Sequence, residues 1–251
     1  MRLADRERFS RRSFRLFEVL YGAALLTEVA TDAWSGSLDV HRGVLYPWRW
    51  IRVVPLWPPW VLVVVWALLA ASGLALVVGR LRPVATRLAA LLTFAWVVTR
   101  FSNHGALLFL VALFLALAPP SPESPDFEQI AQPNLGLVRA ELAIVYVFTA
   151  LNKLAHGFQG GTSLENLLGW RLEVTRPLSI LVVVAELALP ILLVLAPRLG
   201  IAGVLALHLG FVLAMPGLWS FALTMLAMSC LFLPPPPPRA AAAVDVLADA
   251  P

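Results

Sequence analysis

One lysine and one cysteine are all that the 251 residues contain of either, and charged side chains of every kind make up only 14% of the chain. Soluble domains spend roughly 25% of their residues on Asp, Glu, Lys and Arg. With 60% hydrophobic residues and a mean hydropathy of +0.82, too little polar surface remains to coat a water-soluble globule. The single cysteine, Cys230, sits in an apolar run. An intrachain disulfide and a cysteine-based metal motif are thereby excluded, and cysteine usage says nothing about redox compartment. Phosphate-loop, nucleophile-elbow, His-Glu-x-x-His and haem signatures are absent as well. The net charge of +4 and isoelectric point near 10 would suit nucleic acid if the basic residues gathered into one stripe. Here they stand between apolar runs, so no nucleic-acid partner is expected and the charge reads as membrane topology.

What the chain has in abundance is apolar runs of membrane-spanning length. A hydrocarbon core about 30 Å thick takes roughly 20 mostly apolar residues per helix. Such runs extend over about Phe14–Trp34, Trp60–Val78, Val84–Thr99, Gly105–Ala118, Leu137–Leu154, Leu178–Ala196, Leu199–Met215 and Leu218–Leu233. The fourth is short, and Phe101–His104 extend it unless the bilayer is thinned there. The expected fold is all-α: a polytopic bundle of about eight transmembrane helices in residues 1–233, multi-pass in the cell membrane. A Pro/Ala-rich tail over 234–251 is expected to be disordered. The first run follows five arginines and carries a sixth, Arg15, at its start, as a signal sequence would, but Glu28 and Asp32 fall where a cleavage site would lie, so it reads as a retained helix. Residues 35–59, rich in Trp, Arg and Pro, suit the headgroup level. Alternating the loops places twice as many arginines on the side of the N-terminus as on the other, which predicts both termini in the cytoplasm.

Every basic residue but Lys153 is an arginine. A guanidinium stays charged, whereas burial can turn an amine into a base, so the one lysine stands out chemically. A GC-rich codon bias that spared one position would leave the same pattern, and a lysine near a helix end ordinarily reaches out to the headgroups. Ionisable groups inside a span cost about 2.5–3.5 kcal/mol each and therefore face the bundle interior. The candidates are Glu28, His104, Glu141, Lys153, Glu186 and His208. Asn103 and His104 begin the fourth run, Asn152 and Lys153 end the fifth, and consecutive spans are antiparallel, so the two pairs share one membrane face. The arginine bias makes it the outer one. Tyr146, Thr149 and Lys153 form one stripe of the fifth helix at i, i+3 and i+7. His104 and Lys153 are accordingly expected to converge on a cavity with Tyr146 or Thr149. Glu186 and His208 fall near mid-membrane on two helices joined by a very short turn. They are expected to face inward, within reach of each other or of another polar group, either to fix helix packing or to relay protons. Pro190 leaves the Glu186 carbonyl without its helical donor. His41 and His156 lack metal-ligand partners at regular spacing and read as interfacial.

Three segments carry a resemblance. They are Asn103-His104-Gly105, then Tyr146 through Leu154 with Phe158 and Gly160-Gly161, and Glu186-Leu187 through Pro190 followed by Leu207-His208, Trp219 and Phe221. Together they resemble the horizontally transferred transmembrane (HTTM) domain family, which includes the membrane domain of vitamin K-dependent gamma-carboxylase. The resemblance covers the first helix to about Leu233. It implies that Lys153 is the base that deprotonates a lipid quinol, menaquinol or a vitamin K hydroquinone-like molecule. It likewise implies that His104 helps to polarise that quinol, and that oxygen then yields an epoxide and carboxylase-type, lyase chemistry. Asn103, Tyr146, Thr149, Asn152, Glu186 and His208 would surround the bound quinol, with no metal.

Two departures shape the expectation. Asn152 stands where the carboxylase has a second lysine, and the carboxylase's large soluble domain has no counterpart in these residues. Carboxylation of protein glutamate by this chain alone is not expected, which leaves room for a separate soluble or membrane partner protein. The alternative is a non-catalytic membrane module that binds a quinone or lipid or serves as a partner subunit. A small-solute transporter fits less well, because neither an inverted repeat nor a pair of broken helices is visible.

Overall fold

The structure, a computed structural model, describes residues 8–34, 58–99, 102–117, 129–131 and 133–234. Most of the Trp/Arg/Pro-rich segment, His41 and nearly all of the expected tail lie outside the described residues. The apolar runs fold as helices α1 (Arg11–Trp34), α2 (Pro59–Val78), α3 (Arg82–Thr99), α4 (Asn103–Ala116), α5 (Pro133–Ala155), α7 (Leu172–Leu195), α8 (Pro197–Ala214) and α9 (Trp219–Cys230). A short helix, α6 (Thr162–Leu168), lies between α5 and α7 and was not signalled by hydropathy. Two three-residue strands, β1 (Arg8–Ser10) and β2 (Gln129–Ala131), pair antiparallel with Phe9 opposite Ile130.

Among the described residues four helices are long and apolar enough to cross a membrane: α2, residues 134–155 of α5, α7 and α8. Helices α4 and α9 are apolar but shorter. Helix α7 begins earlier than its apolar run, taking in Arg176 and Pro177. Pro177 forfeits only the bond to the Glu173 carbonyl, and membrane helices tolerate such a gap.

Packing closes the bundle. Along the chain α1 packs on α2, α2 on α3, α3 on α4, α4 on α5, α5 on α7, α7 on α8 and α8 on α9, and α9 returns to α1 while also touching α5. Phe17, Tyr21 and Leu25 of α1, Leu76 of α2, Val111 of α4, Leu142 of α5 and Met225 and Met228 of α9 are fully buried. Large apolar side chains such as Leu91, Ile144, Phe148, Leu181, Ile191 and Leu213 face outward. In water that surface would be costly; against lipid tails it costs nothing.

Two local devices fix α1. Gly22 and Gly73 let α1 and α2 approach backbone to backbone, because a Cβ on Gly22 would lie 2.6 Å from the Gly73 carbonyl oxygen. Arg15 donates to the carbonyls of Leu76 and Val77 at the end of α2, where Gly79 takes φ 80°. The Gly79 amide also reaches the Leu76 carbonyl at 3.2 Å, and the arginine supplies donors at a helix end where in a membrane no water does. Arg15 and Arg82 both pair with the buried carboxylate of Glu18.

Candidate functional site

Lys153 lies in the last turn of α5 and Glu186 on α7, and Lys153 Nζ donates to Glu186 Oε1 at 2.5 Å. Their side chains are only 21% and 4% exposed, so this lysine turns inward to a carboxylate instead of outward to the headgroups. Thr149, one turn earlier on α5, adjoins Glu186 and bonds the Tyr146 carbonyl at 3.0 Å. The ammonium also stands 5.7 Å from the ring centres of both Phe158 and Phe211, within reach of a cation–π attraction.

Next to this pair is a second one. Tyr146 Oη lies 2.9 Å from His208 Nε2, joining α5 to α8, and both side chains are buried. The expected inward placement of Glu186 and His208 is found, each 3% exposed, but each takes its own partner on α5. Glu186 Oε2 and His208 Nδ1 are buried without a hydrogen-bond partner among the described residues. Buried polar atoms are seldom left so, since each costs roughly 1–3 kcal/mol.

A third group surrounds His104 in the first turn of α4, which Ser102 caps by accepting from the Gly105 amide. His104 Nε2 lies 2.8 Å from Ser220 Oγ of α9, and Ser220 donates to Glu28 of α1. Glu28 Oε2 is 3.5 Å from His104 Nδ1.

His104 and Lys153 share no hydrogen bond. A train of rings connects them instead: His104 packs edge-on to Phe221, Phe221 to His208, and His208 to Phe211, on which Lys153 sits. Among the other sequence candidates, Asn103 and Asn152 are exposed, and the Asn152 carbonyl accepts from the exposed His156 ring. Glu141 lies on α5 below Tyr146 with its Oε2 unpartnered. Ser220 and Phe211 were not singled out by sequence. A serine in a membrane helix ordinarily bonds its own backbone, so Ser220 gave no signal beyond its neighbours Trp219 and Phe221. No cluster of three or more His, Cys, Asp or Glu side chains suited to a metal ion exists among the described residues.

The family model for the HTTM domain matches residues 8–235, and the chain belongs to that family. No curated protein and no solved structure matches it.

Proposed function

We propose that this HTTM-domain membrane protein is a quinol-dependent enzyme of the carboxylase or epoxidase type, with Lys153 as its base. The observation that carries the reading is the Lys153–Glu186 contact, inward-facing and beside Phe158 and Phe211. The role needs a side chain that can give up its proton and take another during turnover, which an amine can do and a guanidinium cannot. Such an amine can take a proton from a hydroxyl brought within about 3 Å.

The residues present fit a quinol head. Glu186 Oε2 and His208 Nδ1 are the unpartnered polar atoms a hydroxylated ring could satisfy, and Phe158 and Phe211 offer aromatic faces. A bound lipid quinol, menaquinol or vitamin K hydroquinone-like, would supply the electrons for oxygen chemistry. The chain's own part is then to hold the head group, accept its proton at Lys153 Nζ and exclude water. Thr149 and Tyr146 keep Glu186 and His208 in place, and His104 acts as a hydrogen-bonding partner at the far end of the ring train. Asn103 and Asn152, at the helix ends, would meet the head group's approach.

The proposal extends to topology. Eight spans, both termini in the cytoplasm and the cell membrane as location follow from the arginine bias and the alternation of helices. A separate soluble or membrane partner protein would present any macromolecular substrate.

The second reading, a non-catalytic quinone- or lipid-binding module, is favoured by the fact that Lys153, Tyr146 and His208 already have protein partners. The reconstituted full chain, supplied with menaquinol or vitamin K hydroquinone under oxygen, decides between the two. Epoxide formation above the spontaneous rate supports the enzyme, and saturable quinone binding with no turnover supports the module.

A further inference from the structure

We propose that Glu28 and Ser220 are positioning residues that fix the tautomer of His104, holding its proton on Nε2 and leaving Nδ1 as the nitrogen able to gain one. The purpose of the arrangement rests on the quinol reading above; its geometry does not.

A hydroxyl has one proton to give. Ser220 gives it to Glu28 Oε2. At the 2.8 Å contact with His104 Nε2 the serine oxygen must therefore accept, and the ring must donate. A neutral imidazole carries a single N–H, so Nδ1 is bare. Nδ1 lies 3.5 Å from both Glu28 Oε2 and Ser220 Oγ, much farther than Nε2 from the serine, and the carboxylate there repels a lone pair and attracts a proton. Any proton His104 gains accordingly arrives on Nδ1, beside the charge that stabilises it. Glu28 is the charged group that faces the ring among the described residues, and Phe221 packs against it at 78° to its plane. The three polar side chains come from α1, α9 and α4, so the tautomer is set by helix packing. Ser220 is 1% exposed, which rules against the other reading of a Ser–His–Glu group, a serine nucleophile open to substrate.

The test is nitrogen-15 spectroscopy of histidine-labelled full chain in liposomes, where the two neutral tautomers give different ring shifts. The chain has four histidines, and the His104 signals are those lost in His104→Gln. The parent is expected to show the Nε2–H form as the major neutral species. Ser220→Ala leaves Glu28, nearest Nδ1, as the acceptor and should make the Nδ1–H form the majority. Glu28→Leu removes the serine's acceptor, lets its proton turn toward Nε2 and should shift the ring the same way, whereas Ser220→Thr keeps the hydroxyl and should keep the parent spectrum. A parent already in the Nδ1–H form, or a tautomer unmoved by both Ser220→Ala and Glu28→Leu, overturns the proposal. Should Ser220→Ala fail to fold, the parent and Glu28→Leu spectra still decide it. Quinol turnover is assayed on the same samples: a parent that shows the switchable tautomer and never oxidises quinol removes the enzyme reading and leaves the clamp standing.

Discussion

Lys153 Nζ lies 2.5 Å from Glu186 Oε1, so the only lysine of the chain spends its charge on a carboxylate that is 4% exposed. The pair ties the last turn of α5 to α7 across 33 residues of sequence, and it makes the identity of the cation testable.

Lys153→Arg keeps the positive charge and most of the stem length, so insertion, folding and the contact with Glu186 are expected to survive. Base chemistry is not, because the guanidinium stays protonated. Quinol-dependent oxygen consumption or epoxide formation in proteoliposomes should fall by about 10²–10⁴-fold, the usual worth of general acid–base catalysis. An arginine variant as active as the parent takes Lys153 out of the mechanism.

Glu186→Ala strands an ammonium in the bundle, and breaking a buried pair on one side costs about 3–5 kcal/mol. Removing both charges with Lys153→Met and Glu186→Leu should recover most of that loss. Unfolding titrations in mixed micelles measure both, and equal destabilisation of single and double variants would mean that the pair is not coupled.

Tyr146→Phe removes the hydroxyl from His208 Nε2 and leaves a second unpartnered nitrogen on a ring whose Nδ1 is already bare of partners. The expected cost is about 1–3 kcal/mol, with insertion unaffected. The same micelle titration reads it, and a variant within error of the parent would show that this contact contributes nothing net.

Gly22→Ala forces a methyl to within 2.6 Å of the Gly73 carbonyl oxygen, and neither backbone can give way without separating α1 from α2. Overpacking of this kind costs about 1–3 kcal/mol. Because α1 also carries Glu28, the His104 tautomer signals should broaden or shift along with the loss of stability.

Sidedness can be read with single cysteines, because native Cys230 is buried and should stay silent toward a membrane-impermeant maleimide. Cysteine in place of the exposed Asn166, after α5, should label from outside intact cells. Cysteine in place of the exposed Arg198, in the first turn of α8, should label only after lysis. The reverse pattern would invert the proposed topology.

The sequence by itself determined the membrane class, the approximate helices and the short inventory of polar side chains that had to be buried. Hydropathy is a sum over neighbouring residues and needs no knowledge of the fold, so α2 and α8 could be read almost to their ends, whereas the polar first turns of α7 were missed. Helix α6, outside any apolar run, and the β1–β2 pair, which spans more than a hundred residues of sequence, could not. Periodicity also put Tyr146, Thr149 and Lys153 on one stripe of α5, which holds. Partnership was beyond it: a helical repeat tells which face of a helix is polar, not which helix stands opposite or at what depth. The short turn between α7 and α8 suggested Glu186 with His208, yet both reach across to α5, because α5 packs beside them in the closed bundle. Ser220 and Glu28 meet at His104 across 192 residues, a contact that exists only because α9 returns to α1.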